Sequence, residues 1–120
     1  CATSIVQYGM IEGLKHSMED VLYMRDEFLK RKNYVIDRLR KIGFDVNEPK
    51  GAFYVFPSIK KFNLTSEEFC EKLLNEKKVA CVPGSAFGEK GEGFIRISYC
   101  YSLKELELAL DKIEEFIKNL

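Results

Sequence analysis

Apolar residues in the first third of the chain recur at steps of three and four. Ile11, Leu14, Met18, Val21, Leu22, Phe28, Leu29, Val35, Ile36, Leu39 and Ile42 fall on one stripe, the period of an amphipathic helix. One straight helix over this span would be about 60 Å long, too long for so small a domain. Ser17, with Asp20 three residues on, has capping-box spacing and predicts a break. The pattern therefore predicts helices over about 3–16 and 18–42, with Gly43 as a left-handed stop.

Beyond Gly43 the period shortens. Pro49, Lys50 and Gly51 are turn residues, and Ala52–Phe56 is apolar on both faces, which predicts a central strand ended by Pro57. Thr65 with Glu68 makes a second capping box and opens a helix over about 66–75. A short strand is predicted over about 78–82, then a glycine-rich loop, then a strand over about 94–99. Ser102 with Glu105 opens the last helix, about 103–118, whose apolar face carries Leu103, Leu106, Leu110, Ile113, Phe116 and Ile117. Few strands and segregated helices predict a two-layer α+β domain, a small mixed β-sheet with helices packed on one face.

Composition narrows the function classes. With 46% hydrophobic and 32% charged residues the chain reads as globular, not disordered. Nineteen basic residues balance nineteen acidic ones, so no basic field points to nucleic acid. No apolar run reaches the roughly 20 residues needed to cross a bilayer. The first residues lack the basic start and apolar core of a signal peptide, and the chain opens on Cys1 rather than Met, which suggests a piece of a longer polypeptide. Cys1, Cys70, Cys81 and Cys100 are scattered singly, and His16 is the one histidine, too few ligands at metal spacing for zinc. Cys81 and Cys100 lie in strand-like runs and are expected to be buried, which fits a reducing cytoplasm.

Chemistry is harder to find. Gly84, Gly88, Gly91 and Gly93 match neither a dinucleotide fingerprint nor a phosphate-binding loop, because a strand rather than a helix follows. His16 has no Ser, Cys or Asp partner at suggestive spacing, and Glu67, Glu68, Glu114 and Glu115 read as solvated helix faces. Arg96 is the exception. Alternation puts Phe94, Arg96, Ser98 and Cys100 on one strand face, and Ile95, Ile97 and Tyr99 on the face that should meet the last helix. Arg96 then points to the face the helices leave open. It is either a solvated charge or a rigid fork for a carboxylate.

In order, "PKGAFYVFPSI", "VACVPGSAFGEKGEGFIRIS" and the final S-x-x-x-L-x-x-A-L-x-x-I are similar to the C-terminal, small domain of fold type I, class I pyridoxal-phosphate-dependent aminotransferases, aspartate aminotransferase-like. The resemblance runs over essentially the whole chain and is strongest over 49–57 and 79–98; the segment around Gln7 is only weakly similar. It implies that Arg96 takes the substrate α-carboxylate, that Phe53 lies near the substrate, and that Pro83–Gly88 form a loop entering the active site. It implies a homodimeric cytoplasmic enzyme that moves an amino group between an amino acid and a 2-oxo acid. Pyridoxal 5'-phosphate would be its cofactor. No segment here matches the lysine that carries the cofactor, nor the residues that hold its ring and phosphate. Those belong to a large domain, so this chain by itself is expected to be inactive and to bind no cofactor. A lyase or synthase of the same family, and a stand-alone α+β binding module, are the alternatives.

Overall fold

A computed structural model describes all 120 residues, Cys1–Leu120. Four helices are formed: α1 (Ser4–His16), α2 (Met18–Ile42), α3 (Ser66–Lys77) and α4 (Leu103–Lys118). Three short strands complete the fold: β1 (Tyr54–Val55), β2 (Val82–Pro83) and β3 (Ile95–Ser98). The sheet order is β1-β3-β2 with both pairings antiparallel, so the expected mixed sheet is corrected to an antiparallel one.

The apolar runs mark a core but not a long sheet. The expected central strand 52–56 becomes β1, shorter and not central: β3 takes that place, with a partner on each side. Ala52 adopts a left-handed φ of 60°, which extended pairing does not allow. The buried Tyr99 hydroxyl donates to the Ala52 carbonyl at 2.9 Å and fixes that turn. Pro57 does not stop the ladder. Ile95 N–H donates to Pro57 O, and Ser58 bridges both Phe94 and Asp45. The strand expected over 78–82 reduces to Val82–Pro83. Lys78 is left-handed at φ 58°, and its N–H closes α3 on Leu74 O.

Capping accounts for most helix boundaries. Thr65 and Ser102 have extended backbones, and both capping boxes are complete. Gly43 ends α2 at φ 103° as a left-handed cap. Ser17 does break the first stripe, but without a cap: its ψ of 26° is not extended, and its side chain accepts nothing from the turn after it.

The helices α2, α3 and α4 cover the sheet face that bears Val55, Ile95 and Tyr99. The core joins these to Val35, Ile36 and Leu39 of α2, Phe69 and Leu73 of α3, and Leu106, Leu110, Ile113 and Phe116 of α4. Phe69 sits at its centre, with Phe44, Phe62 and Phe116 at ring-contact distance. Arg38 of α2 pairs with Asp111 and Glu114 of α4, and Lys77 of α3 with Glu115. Leu103, expected on the buried face of α4, is exposed, as is Cys100.

α1 buries no residue at all, and of the long first stripe only Val35, Ile36 and Leu39 are fully buried. The radius of gyration is 17.3 Å, against about 14 Å for a compact chain of this length. No helix is long and apolar enough to cross a membrane.

Candidate functional site

The open face of the sheet, opposite the helices, is aromatic. The pairs Tyr54–Ser98 and Ser58–Phe94 share one register, which sets Phe56 across from Arg96. Alternation turns Tyr54 and Phe56 outward beside Phe94 and Arg96, while Val55 and Ile95 turn into the core. The loop after β2 adds Phe87 to this face. Phe56 lies 5.6 Å from Phe94 in a stacked arrangement and 5.9 Å from Phe87 edge-on.

Arg96 sits in this setting as a half-buried, unpaired cation. Its guanidinium carbon lies 4.4 Å from the Tyr54 ring centroid and 4.8 Å from that of Phe87. None of the carboxylates that pair with Arg25, Arg38 or the lysines reaches it, and none of its nitrogens is buried without a partner. Each ring contact contributes about 0.5–2 kcal/mol and orients the guanidinium without using its N–H groups. A planar fork so held keeps its donors for an incoming carboxylate, which two parallel N–H donors match in geometry and charge.

Phe53, the other residue singled out from sequence, is not against Arg96. It is partly exposed, lies tilted against Tyr54 at 4.6 Å and reaches Phe28 of α2 at 6.0 Å. It joins the site one ring away, through Tyr54. Tyr54 and Phe87 are the contacts that sequence reasoning missed. Alternation carried across the β1–β3 ladder would have found Tyr54. Phe87 lies in a loop without period, where only the resemblance points to the site, and it does so for the loop and not for this ring.

The other reactive groups do not form a site. Burial pushes the Cys70 thiol up to about 11 and, with Cys70 nearby, the Cys81 thiol up to about 12, so neither is a ready nucleophile near neutral pH. His16 is exposed on α1, with Glu12 at 3.8 Å. No group of three or more potential metal ligands occurs. A cavity of about 420 Å³ opens between α4 and residues 79–82, with Arg96 and Ser98 on its wall. Its lining is mostly apolar, including Val79, Ile97, Leu106 and Ala109.

The family model for aminotransferase class I and II matches residues 1–113. The chain belongs to that family. It is 45% identical over 121 residues to an aspartate aminotransferase of Pyrococcus abyssi, with 99% of this chain and 31% of that protein covered. It is 44% identical, with the same coverage, to an aromatic-amino-acid aminotransferase of Thermococcus litoralis. The solved aromatic aminotransferase of Pyrococcus horikoshii superposes with a TM-score of 0.95 at 43% identity, covering 99% of this chain and 32% of that one. The chain thus spans about a third of the length of such aminotransferases.

Aminotransferases of this family depend on pyridoxal phosphate. Lys32 and Lys77 are in ion pairs, Lys61 donates to Gly43 O, and Lys60 lies over the Phe94 ring at 4.8 Å. Lys78 and Lys112 line the cavity beside α4 together with Glu105, Arg96 and Ser98. What this chain presents is one oriented guanidinium on an aromatic wall.

Proposed function

We propose that the chain is the C-terminal, small-domain part of a pyridoxal-phosphate-dependent aminotransferase, in which Arg96 holds the α-carboxylate of the amino acid and of the 2-oxo acid. The observation that carries this is the Arg96 guanidinium, held against Tyr54 and Phe87 and paired with no acid of its own chain. The cofactor, when bound, supplies the electron sink for amino-group transfer, and its residues lie in the rest of the enzyme. This part binds and orients. Two parallel N–H donors fix the substrate's carboxylate end. The rings of Tyr54, Phe87 and Phe56 keep water from that end, which strengthens the charge pair. Phe53 extends the wall. In this reading the full-length protein is a homodimer of the cytoplasm. The relatives' names range over aspartate, aromatic amino acids, alanine and N-acetyl-LL-diaminopimelate, so the side-chain preference stays open.

The test is Arg96→Lys in the full-length enzyme. Lysine keeps the charge and loses the fork. Whichever of L-phenylalanine, L-alanine and L-aspartate turns over best is compared with its decarboxylated amine. The amino acid should lose about ten- to a hundredfold in kcat/KM and the amine far less. Equal losses would make Arg96 a structural residue and restore the solvated-charge reading. The same comparison bears on a lyase or synthase, which would share the arginine and differ in product.

This reading also implies that the 120-residue chain alone neither transaminates nor holds the cofactor. Titration with pyridoxal phosphate, followed by dialysis, should leave only weak, unsaturable labelling of surface lysines. One stoichiometric site that survives dialysis would contradict it and would favour a chain complete in itself.

A further inference from the structure

The loop that brings Phe87 to Arg96 has an anchor that the carboxylate reading does not use. Ser66, the first residue of α3, is fully buried although polar. Its N–H donates to one Glu92 oxygen at 2.8 Å, and its hydroxyl donates to the other at 2.7 Å. The same hydroxyl oxygen accepts the Ser85 N–H at 3.3 Å, and the Ser85 hydroxyl lies 3.4 Å from Glu67. Both ends of the loop, Ser85 near its start and Glu92 near its end, are therefore fastened to the first turn of α3. The capping box of Thr65 and Glu68 already serves two other backbone donors of that turn, so the Ser66 N–H would lack an acceptor without Glu92. The two Ser66 donors also hold the Glu92 carboxyl below the usual carboxylate range.

Between these anchors the loop has almost no slack. Gly84 and Gly91 touch backbone to backbone: a Cβ on Gly84 would lie 1.9 Å from the Gly91 carbonyl oxygen, and one on Gly91 2.0 Å from that of Gly84. Gly84 N–H donates to Phe94 O at 2.9 Å, which joins the loop's base to the residue two before Arg96. Phe87 projects from the middle of this closed loop onto the guanidinium.

We propose that Glu92 is a positioning residue: by tying the Gly84–Gly93 loop to the α3 N-terminus it sets Phe87 over Arg96 and so orients the guanidinium for a carboxylate. This rests on the assignment of Arg96 to the substrate carboxylate. Glu92 touches no substrate atom, and its effect passes through Ser66, the loop backbone and Phe87.

The experiment uses the full-length enzyme with Glu92→Ala, Glu92→Gln and Ser66→Ala. The substrates are the same amino acid and its decarboxylated amine, and hydrogen exchange of the peptide spanning 84–93 is followed by mass spectrometry. Glu92→Ala should raise KM for the amino acid about tenfold with a much smaller change in kcat, because a loosened guanidinium costs carboxylate binding first. The amine should be nearly unaffected, and exchange in the loop peptide should rise. Glu92→Gln, whose amide oxygen can still accept the Ser66 N–H, should restore most of both. Ser66→Ala reaches the tie from the other side and should repeat the selective loss, so the test survives if Glu92→Ala fails to fold. Equal losses for amino acid and amine, or unchanged loop exchange, would overturn the proposal. So would an unchanged KM in an enzyme where Arg96→Lys does discriminate, and that outcome leaves the carboxylate assignment standing. If Arg96→Lys itself fails to discriminate, the assignment falls and this proposal falls with it.

Discussion

α1 and the last turns of α2 carry the same kind of apolar stripe and end in opposite situations. In α2, Val35 and Leu39 are wholly buried and Ile36 nearly so. In α1, Ile5 is 85% exposed, Tyr8 76% and Leu14 75%, and the stripe continues uncovered through Met18, Val21 and Leu22. The difference does not lie in the helices, since both are continuous. It lies in what faces them: α2 meets α4 and the sheet in its second half, whereas α1 meets α2 and buries none of its residues there. A period reports which face is apolar and says nothing of its partner. An exposed apolar face of this extent marks an interaction surface, and the proposed function names its partner as the rest of the enzyme.

The largest expected difference between the two regions is in stability. Phe69→Ala empties the centre of the core and should cost about 3–5 kcal/mol. Ile5→Ala removes a side chain that is already in water and should stay within about 0.5 kcal/mol. Urea unfolding of the 120-residue chain measures both. Comparable losses would mean that α1 is packed in solution and that the contrast is false.

Association should order the two regions the other way. The bare stripe of α1 and early α2 should drive the chain to self-associate over a concentration series in light scattering. Ile5→Glu with Leu14→Glu should return it towards monomer while leaving the urea midpoint nearly unchanged. A strict monomer for the unaltered chain would show that this surface needs no cover.

Much of this was legible in the sequence, and the parts that were not have specific reasons. Gly43 and the boxes at Thr65 and Ser102 are local chemistry, and each sits where its spacing places it. Arg96 on the face away from the helices follows from alternation in β3. The strand lengths were misjudged because Ala52 and Lys78 adopt left-handed angles that no residue preference announces. Cys100 was expected in the core but lies just past β3, where the chain turns out to solvent. The glycines predict a loop of unusual backbone and the resemblance takes it into the active site, but neither shows how it is held. The Gly84–Gly91 contact, the Glu92–Ser66 tie and the seat of Phe87 on Arg96 all join residues whose meeting depends on the completed fold.

The smallest expected effects separate true caps from apparent ones within the same two regions. Ser102 and Ser17 both precede an acid by three residues, and only Ser102 caps. Its side chain accepts the Glu105 N–H at 3.3 Å, while Glu105 accepts the Ser102 hydroxyl at 2.7 Å and its N–H at 3.1 Å. Ser102→Ala should cost about 1 kcal/mol, and Ser17→Ala a few tenths at most, since no bond is lost. Acid adds an independent check. The hydroxyl and then the backbone N–H of Ser102 hold the Glu105 carboxyl below its ordinary value of 4.5. A carboxylate lowered in the folded state contributes stability above its ordinary pKa, and the contribution fades as pH falls through the lowered value. The gap between the unaltered chain and Glu105→Gln should therefore be full near pH 6 and close as the solution is acidified below about pH 4. A loss on Ser17→Ala equal to that on Ser102→Ala would mean that the box at Ser17 forms in solution after all, and the two ends of the molecule would then differ in cover alone.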